Sequence, residues 1–424
     1  MRVHLNLLVL ILLVVSCGNP KSKTVSNRSN LPDKEIVRIQ KNSEKSKAEP
    51  YVILVSIDGF RYDYAKKYNA KNLLNFEVSA KKMLPSFPSK TFPNHYAIVT
   101  GLYPGNNGLV SNSFYDPVKK QNYSIGNRSV VEDASYYKGT PLWVLASQQE
   151  MVSASMFWVG SEAPVQGVSP NYYFKYDGKV TEQERVNQTL EWLNLPEEVR
   201  PHFITLYFSI TDDIGHKFGP NSPEIEEAVL QIDATIGELM DGVSKIDLPV
   251  NVIVVSDHGM LEVDTENIIN PKTIIPKETI FTASFPLMVY DTNAVFIDSL
   301  YTELKKDTSR YNVYLKNNIP KQFHYNFNDE RVGDLLVMPK PPYTFSSKTS
   351  LPKGASTHGY DPAVCQEMGA IFYASGPAFN KSIEIDSLEN VDVYPVIAKI
   401  LGLDIDSIKL DSKINVSKLI LDVK

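Results

Sequence analysis

Three near-continuous apolar segments constrain the fold of this chain more than any other feature. They are YVILVSIDGF (51–60), FITLYFSITDD (203–213) and VNVIVVSDHG (250–259). Uninterrupted apolar runs of this length are typical of strands that are covered on both faces, as in a parallel sheet. Each run leads into an aspartate, and open α/β sheets bind ligands at the carboxyl ends of their strands. We therefore predict that Asp58, Asp212 and Asp257 meet at one edge of a parallel sheet.

Amphipathic patterns between these segments predict helices that flank the sheet. Ser222, Pro223 and Glu224 open the clearest one, as a cap residue, a first-turn proline and a first-turn acid. Further helical patterns lie near Trp143 and Val393.

Residues 285–340 combine predicted strands with a helix around 297–305. This mixture indicates a smaller α+β subdomain, inserted over about residues 270–350. The predicted fold class is α/β, with a mostly parallel central sheet flanked by helices.

The N-terminal segment has the form of an export signal. Residues 1–16 carry one early arginine and an apolar run too short to span a bilayer. Cys17 follows directly, as in a bacterial lipobox, in which the cysteine is lipidated; an ordinary signal with an incidental cysteine is the alternative. Residues 17–50 are rich in Ser, Asn, Lys and Pro and predict a disordered tether, with residues 51–424 as the folded domain. We expect an exported lipoprotein, periplasmic or on the cell surface, whose only membrane contact is the anchor at Cys17.

Charge and cysteine content limit the partners. The net charge is −6, and no run of Lys and Arg is spread along a predicted helix. A nucleic-acid duplex is therefore not an expected partner. A small anionic substrate remains compatible, because metal ions can supply local positive charge. Apart from Cys17 the chain has only Cys365, which we expect to be a buried apolar residue outside any intrachain disulfide.

Four short motifs offer carboxylate and imidazole ligands for metal ions. The residues they hold are Asp58 (IDG), Asp212 and His216 (TDDIGH), Asp257 and His258 (SDHG), and His358 (STHG). We expect Asp212 and His216 to lie in a loop at a strand end, with Asp213 as the alternative carboxylate of that loop. Carboxylate and neutral imidazole bind Zn²⁺ well, although such sites also accept Mn or Co. Together the motifs are an almost complete ligand set for two ions, an arrangement suited to phosphate-ester hydrolysis.

A hydroxyl and an amide complete the candidate site. Thr91, in KTFPNH, precedes a short helical pattern, and the N-terminus of a helix is a good seat for a phosphate. A metal-coordinated hydroxyl can act as a nucleophile, whereas a simple helix cap is the alternative role for Thr91. Asn112 can donate its amide to a phosphoryl oxygen, or it can be an ordinary turn residue. His95 is a candidate for a residue that contacts a metal ligand without binding the metal itself.

Long ordered blocks of this chain resemble the nucleotide pyrophosphatase/phosphodiesterase family of the alkaline phosphatase superfamily, in its minimal bacterial form. The blocks are SIDGFRYDY, LPSFPSKTFPNHYAIVTGLYPGNNGLVSNSFYD, YFSITDDIGHKFGP, VVSDHGM, THGYDP, GAIFYASGPAF and VDVYPVIAKILGL. The resemblance covers roughly residues 51–405. It implies an alkaline-phosphatase-like core.

The resemblance also implies a set of roles. Two Zn²⁺ ions would be bound, one by Asp212, His216 and His358, the other by Asp58, Thr91, Asp257 and His258. Thr91 would be the nucleophile and form a covalent threonine intermediate, while Asn112 would stabilise the phosphoryl oxygens. Phe92 and Tyr207 would enclose a nucleobase, or they are ordinary core aromatics.

The expected activity is hydrolysis of nucleotide phosphodiester or pyrophosphate bonds with release of a nucleoside monophosphate. A phosphomonoesterase, or a diesterase acting on lysophospholipid or choline phosphate, is the alternative within the same superfamily. A sulfatase is excluded because Cys365 begins CQEMG and not the C-x-P-x-R pattern of that branch.

Overall fold

The computed structural model describes residues 35–36, 39–325, 329–413 and 416–422. The predicted signal peptide, Cys17 and most of the predicted tether lie outside these residues. Among the described residues, none of the helices combines the length and the hydrophobicity that crossing a membrane requires.

The described part of the chain contains seventeen strands. They are β1 (Glu35–Ile36), β2 (Tyr51–Ile57), β3 (Val78–Leu84), β4 (Ser113–Asp116), β5 (Gln121–Ser124), β6 (Ser153–Met156), β7 (Tyr172–Tyr173), β8 (Phe203–Phe208), β9 (Val250–Val255), β10 (Leu261–Glu262), β11 (Ile280–Thr282), β12 (Leu287–Tyr290), β13 (Tyr311–Leu315), β14 (Leu335–Pro339), β15 (Ser356–Thr357), β16 (Phe372–Ser375) and β17 (Ile383–Glu389).

Fourteen α-helices accompany these strands in the same residues. They are α1 (Glu44–Lys47), α2 (Tyr64–Lys67), α3 (Lys71–Leu74), α4 (Thr91–Thr100), α5 (Pro104–Asn107), α6 (Arg128–Val131), α7 (Leu142–Gln148), α8 (Glu182–Leu193), α9 (Ile210–Phe218), α10 (Pro223–Ser244), α11 (Pro271–Ile274), α12 (Ala294–Leu304), α13 (Val393–Ile400) and α14 (Ser417–Ile420). Short 3-10 helices span Ala134–Tyr136, Lys316–Asn318, Lys321–Phe323, Gln366–Met368 and Asn390–Asp392.

Nine of the strands form one central sheet, in the order β1-β7-β6-β8-β2-β9-β16-β3-β17. The neighbours β6, β8, β2 and β9 run parallel, whereas β16 is antiparallel to both of its neighbours and β1 is antiparallel to β7. The prediction of a mostly parallel central sheet is confirmed. All seven residues of β2 are buried, and its side chains alternate between two separate cores: Val52 and Leu54 enter one, Ile53 and Val55 the other. This double burial explains why the strand is apolar throughout.

The longest helix of the described residues, α10, follows its predicted signals. The Ser222 hydroxyl accepts the N–H of Ile225 at 3.2 Å, and Pro223 occupies the first turn. Ile225, Val229 and Ile232 on one face of the helix are fully buried, as their helical spacing requires.

A second, four-stranded antiparallel sheet has the order β11-β12-β14-β13 and packs with α12 around its own apolar core. These elements lie inside the segment in which we predicted an inserted α+β subdomain. Arg331 joins this part to the central domain: its guanidinium donates to Asp116 at 3.1 Å and to the carbonyl oxygens of Gly108 and Tyr136 at 3.0 and 2.8 Å.

The predicted tether extends too far toward the folded domain. Within residues 39–50, Asn42 and Ser46 are buried against the domain, and Asn42 is only 5% exposed. Its amide nitrogen donates to the carbonyl oxygens of Glu197 and Arg200, both at 2.8 Å, while its amide oxygen accepts the N–H of Val152 at 2.8 Å. A polar composition did not indicate this packing, because the buried amide is satisfied by three backbone groups from distant loops.

Candidate active site

The candidate site lies where β2, β8 and β9 end side by side. Asp58 directly follows β2, and Asp257 follows β9 after one residue. The N–H of Asp58 donates to the carbonyl oxygen of Phe208 at 2.8 Å, which ties this turn to the end of β8. Parallel register thus brings Asp58 and Asp257, which are 199 residues apart, to one sheet edge, as the apolar runs predicted.

Asp212 and His216 lie on helix α9 and not in a loop, so that expectation is wrong. They occupy positions i and i+4 of the same helix face, with His216 Nε2 3.5 Å from Asp212 Oδ1. The signals for this helix were present, since two acids fill its first turn and Gly219 ends it. Asp213 is exposed and accepts the Ser209 hydroxyl at 2.9 Å, so it points away from the cluster that Asp212 joins.

Two groups of ligand atoms converge at this edge. His258 Nε2 lies 2.9 Å from Asp257 Oδ2, 3.6 Å from Asp58 Oδ1 and 3.3 Å from Thr91 Oγ1. Asp212 Oδ1 lies 3.8 Å from His358 Nε2. The ligand atoms of a tetrahedral Zn²⁺ with bonds of about 2.0–2.1 Å are about 3.3 Å apart, and the distances from His258 Nε2 to Thr91 Oγ1 and to Asp58 Oδ1 are close to this value.

The carboxylates carry a second sign of metal binding. Three buried oxygens accept no hydrogen bond from any described residue: Asp58 Oδ1, Asp212 Oδ1 and Asp257 Oδ2. They are the same atoms that lie closest to the imidazole nitrogens. A buried carboxylate oxygen without a donor is costly, and a cation is the partner that removes this cost. The residues therefore fit bound metal cations.

The histidines are held in the tautomer that a metal ligand needs. The Nδ1–H groups donate to backbone carbonyl oxygens: His216 to Ser356 at 3.0 Å, His258 to Gly259 at 2.9 Å and His358 to Ser89 at 2.8 Å. With the proton on Nδ1, the Nε2 lone pair faces the carboxylates. The rings of His258 and His358 stack with centroids 3.5 Å apart, so the two groups of ligand atoms are adjacent.

The electrostatics of the cluster also favour cations. Burial raises the pKa of Asp58 well above its ordinary value, and the nearby charges of Asp257 and Asp212 add to this effect. Burial also acts to raise the pKa of Asp257, but the adjacent His258 and His95 outweigh it and hold that pKa at about 2. Crowded carboxylates of this kind are stabilised by positive charge placed between them.

His95 lies beside the ligand atoms and holds two elements of the site together. It is fully buried; its Nδ1–H donates to the carbonyl oxygen of Thr91 at 2.9 Å, and its Nε2 lies 2.8 Å from the Ser56 hydroxyl. His95 thereby connects the helix that carries Thr91 to strand β2.

Thr91 is the first residue of α4, whose cap position is occupied by Lys90. The Thr91 hydroxyl makes no capping hydrogen bond and instead faces His258, so the structure does not place it in a capping role. The N–H of Phe92 donates to Asn112 Oδ1 at 2.9 Å. Because its oxygen is used in this way, the amino end of the Asn112 amide remains to donate to a ligand.

A cavity of about 250 Å³ opens beside Thr91. Its walls include Phe92 and Tyr207, the two aromatics predicted to enclose a base. The Tyr207 hydroxyl donates to Asp58 Oδ2 at 2.6 Å, so this ring is fixed to the metal-binding edge.

Sequence reasoning missed three further aromatic residues of this cavity, Phe157, Trp158 and Tyr176. For Phe157 and Trp158 the available signal was the segment MFWVG, in which β6, another strand of the central sheet, ends at the same edge; no signal pointed to Tyr176. Phe157 has φ +63°, a backbone conformation that is rare for a bulky residue and turns the chain sharply away from β6.

Fold and site together define an α/β protein with an alkaline-phosphatase-like core and a candidate metal centre at the strand ends. A model of the family "Type I phosphodiesterase / nucleotide pyrophosphatase" matches residues 52–361. The chain belongs to this family, and the resemblance noted from the sequence is confirmed.

Relatives of this chain are found in Mus musculus and in Schizosaccharomyces pombe. The chain is 35% identical over 373 residues to ectonucleotide pyrophosphatase/phosphodiesterase family member 1 of Mus musculus, covering 84% of this chain and 41% of that protein. It is 34% identical over 379 residues to an uncharacterized pyrophosphatase/phosphodiesterase of Schizosaccharomyces pombe, covering 83% and 77%. The chain thus spans about two fifths of the length of the mouse relative.

Solved structures share the fold over most of this chain. Human ectonucleotide pyrophosphatase/phosphodiesterase 5 matches with a TM-score of 0.82 and 28% identity, covering 88% of this chain and all of that chain. An inactive threonine-to-alanine variant of the murine protein in complex with AMP matches with a TM-score of 0.81 and 28% identity, with 88% of this chain covered and all of that one.

Proposed function

We propose that this chain is a two-zinc hydrolase that cleaves phosphodiester or pyrophosphate bonds of nucleotides and releases a nucleoside monophosphate. One observation carries the proposal: three buried carboxylate oxygens without donors converge on imidazole nitrogens beside the Thr91 hydroxyl. Family membership supports it, as does the AMP complex of the inactive murine neighbour.

The proposed ligand sets are those that the family resemblance implies, and the convergence of Asp212, His258 and His358 and of Asp58, Asp257 and His258 supports them. One zinc ion would be held by Asp212, His216 and His358. The other would be held by Asp58, Thr91, Asp257 and His258. Zinc bound there would supply positive charge for the phosphoryl oxygens and would lower the pKa of a coordinated hydroxyl.

Thr91 is the proposed nucleophile. Its oxygen forms a bond to phosphorus while the bond to the leaving oxygen breaks and the hydroxyl proton passes to the leaving group, which gives a threonine esterified to the nucleoside monophosphate. Water then hydrolyses this ester, regenerates Thr91 and releases the monophosphate. The free end of the Asn112 amide donates to a phosphoryl oxygen, and the N-terminus of α4 adds its positive dipole end.

Phe92 and Tyr207 are proposed to contact the base, since both line the cavity that opens beside Thr91. This feature favours nucleotides over choline phosphate. The lipid anchor at Cys17 and an exported location remain proposals, because that part of the chain lies outside the described residues.

The test is the substitution Thr91→Ala, assayed on the p-nitrophenyl ester of thymidine monophosphate. We expect turnover to fall to background while the zinc content and the melting temperature stay near those of the wild type. Thr100→Ala is the matched control, since Thr100 ends the same helix and its hydroxyl donates to the carbonyl oxygen of Tyr96 at 2.6 Å. Activity retained by Thr91→Ala would remove Thr91 from the proposed role.

A further inference from the structure

Arg185 is a buried cation that the proposed mechanism does not use. It lies on α8 and is only 3% exposed. Burial lowers the pKa of its guanidinium; Glu182 and Asp213 act in the opposite direction, but neither forms an ion pair with Arg185 among the described residues. Burying a charge without an opposite charge costs several kcal/mol. The contacts that the guanidinium makes have to offset this cost, so they indicate what Arg185 does.

The contacts of Arg185 point to the walls of the cavity. Its Nη1–H donates to the carbonyl oxygen of Tyr207 at 2.7 Å, and its Nε–H donates to that of Val180 at 3.0 Å. Its guanidinium carbon lies 5.0 Å from the centre of the Phe157 ring. Arg185 therefore contacts two aromatic residues that line the cavity, one through the backbone and one through the ring.

The sheet explains why Tyr207 needs such a donor. Strand β6 pairs with β8 only as far as Met156, which lies opposite Leu206. Tyr207 is beyond the end of this pairing, and the left-handed conformation of Phe157 turns the chain away from it. Arg185 bridges the gap between the two diverging segments.

The aromatic rings form one unit in front of Arg185. Tyr176 packs edge-on against Phe157, with ring centroids 5.2 Å apart, and against Tyr207, with centroids 6.1 Å apart. If Phe157 or Tyr207 moves, Tyr176 loses its packing partner, and the arrangement of all three rings changes.

The metal-binding edge has independent supports. Asp58 is held by its N–H, which donates to the carbonyl oxygen of Phe208 at 2.8 Å, and by the Thr211 hydroxyl, which donates to its carbonyl oxygen. Neither contact involves Arg185. The Tyr207 hydroxyl also donates to Asp58 Oδ2, so the variants are compared at saturating zinc, where loss of Arg185 should disturb the aromatic wall more than the metal centre.

We propose that Arg185 is a positioning residue that holds Tyr207 and Phe157 in the orientation that receives the nucleobase. This inference rests on the proposed function, because it assumes that the cavity takes the base of a nucleotide.

The test compares a substrate that has a base with one that has none. Kinetic constants of Arg185→Met are measured on the p-nitrophenyl ester of thymidine monophosphate and on bis(p-nitrophenyl) phosphate. We expect the KM for the nucleotide ester to rise about tenfold with a much smaller change in kcat, as for the loss of one charged hydrogen bond and one cation–π contact. For the ester without a base, kcat/KM should change less than about threefold, which is the smaller effect expected of supporting packing.

The matched control is Arg200→Met. Arg200 also donates to a backbone carbonyl, that of Leu195 at 2.9 Å, and lies 5.7 Å from the ring centre of Tyr51, at the opposite end of the sheet. This variant should lower the melting temperature without altering the ratio of the two kcat/KM values.

Equal losses on both substrates, or no loss on either, would overturn the role of Arg185. If Arg185→Met does not fold, the ratio of the two kcat/KM values is measured on Arg185→Lys instead. Lysine keeps the charge but cannot stack on a ring and donate as a plane. The wild type tests the proposed function separately. If the wild type hydrolyses neither of the two esters, the proposed function is contradicted, whatever the variants do.

Discussion

The hydroxyl of Tyr207 provides a sharp test of the metal centre. It donates to Asp58 Oδ2 at 2.6 Å, and Asp58 is only 1% exposed. The other oxygen of this carboxylate already has no donor among the described residues. Tyr207→Phe removes the hydroxyl and keeps the ring, so it separates the support of Asp58 from any contact with a base.

The expected magnitude follows from the kind of bond that is lost. A hydrogen bond to a charged group contributes about 1.5–3 kcal/mol, and about 1.4 kcal/mol corresponds to a tenfold change in affinity. Zinc binding at the Asp58 site should therefore weaken by about 10- to 150-fold, in line with the effect of losing a group that orients a metal ligand. At saturating zinc, the KM for the nucleotide ester should stay within about twofold of the wild type, because the ring that contacts the base is retained.

Activity measured over a series of zinc-buffered solutions gives the midpoint of zinc activation directly. Tyr96→Phe is the control, because the Tyr96 hydroxyl is also buried but has no hydrogen-bond partner among the described residues. Its loss should leave the midpoint unchanged. A Tyr207→Phe midpoint within twofold of the wild type would refute the reasoning that Tyr207 supports a metal ligand.

Two further predictions concern the metals and the stability of the fold. Dialysis against EDTA should abolish hydrolysis of the nucleotide ester and added Zn²⁺ should restore it; full activity with metal at background by mass spectrometry would contradict the two-metal proposal. Asp233→Ala should lower the free energy of unfolding by about 2–4 kcal/mol in urea titrations, because the buried Asp233 carboxylate accepts the N–H groups of Asn72 and Leu73 at 3.1 and 2.9 Å. The exposed Asp241 on the same helix is the control, and Asp241→Ala should change stability by less than about 0.5 kcal/mol.

Local signals predicted the elements that carry the site. The strand ends at Asp58 and Asp257 were predictable because a run buried on both faces must be apolar until it leaves the sheet. Helix α10 was predictable because its cap, first-turn proline and apolar face are all encoded within a few residues of one another. The loop expected around Asp212 was wrong because the apolar run of β8 passes into α9 through Ser209 alone, without a turn that separates the two.

Residues that act through packing could not be predicted in this way. From the sequence, Arg185 is predicted to be an ordinary polar residue of an amphipathic helix that begins with a capping box. Its burial depends on β6 ending at Met156 while β8 continues to Phe208, and the relative length of two paired strands is not a property of either segment alone. The same offset opens the cavity beside Tyr207 and leaves the end of β8 without a neighbour on that side. A cation from α8 then takes over the support that a longer β6 would have given, which is why the cavity and the buried arginine occur together.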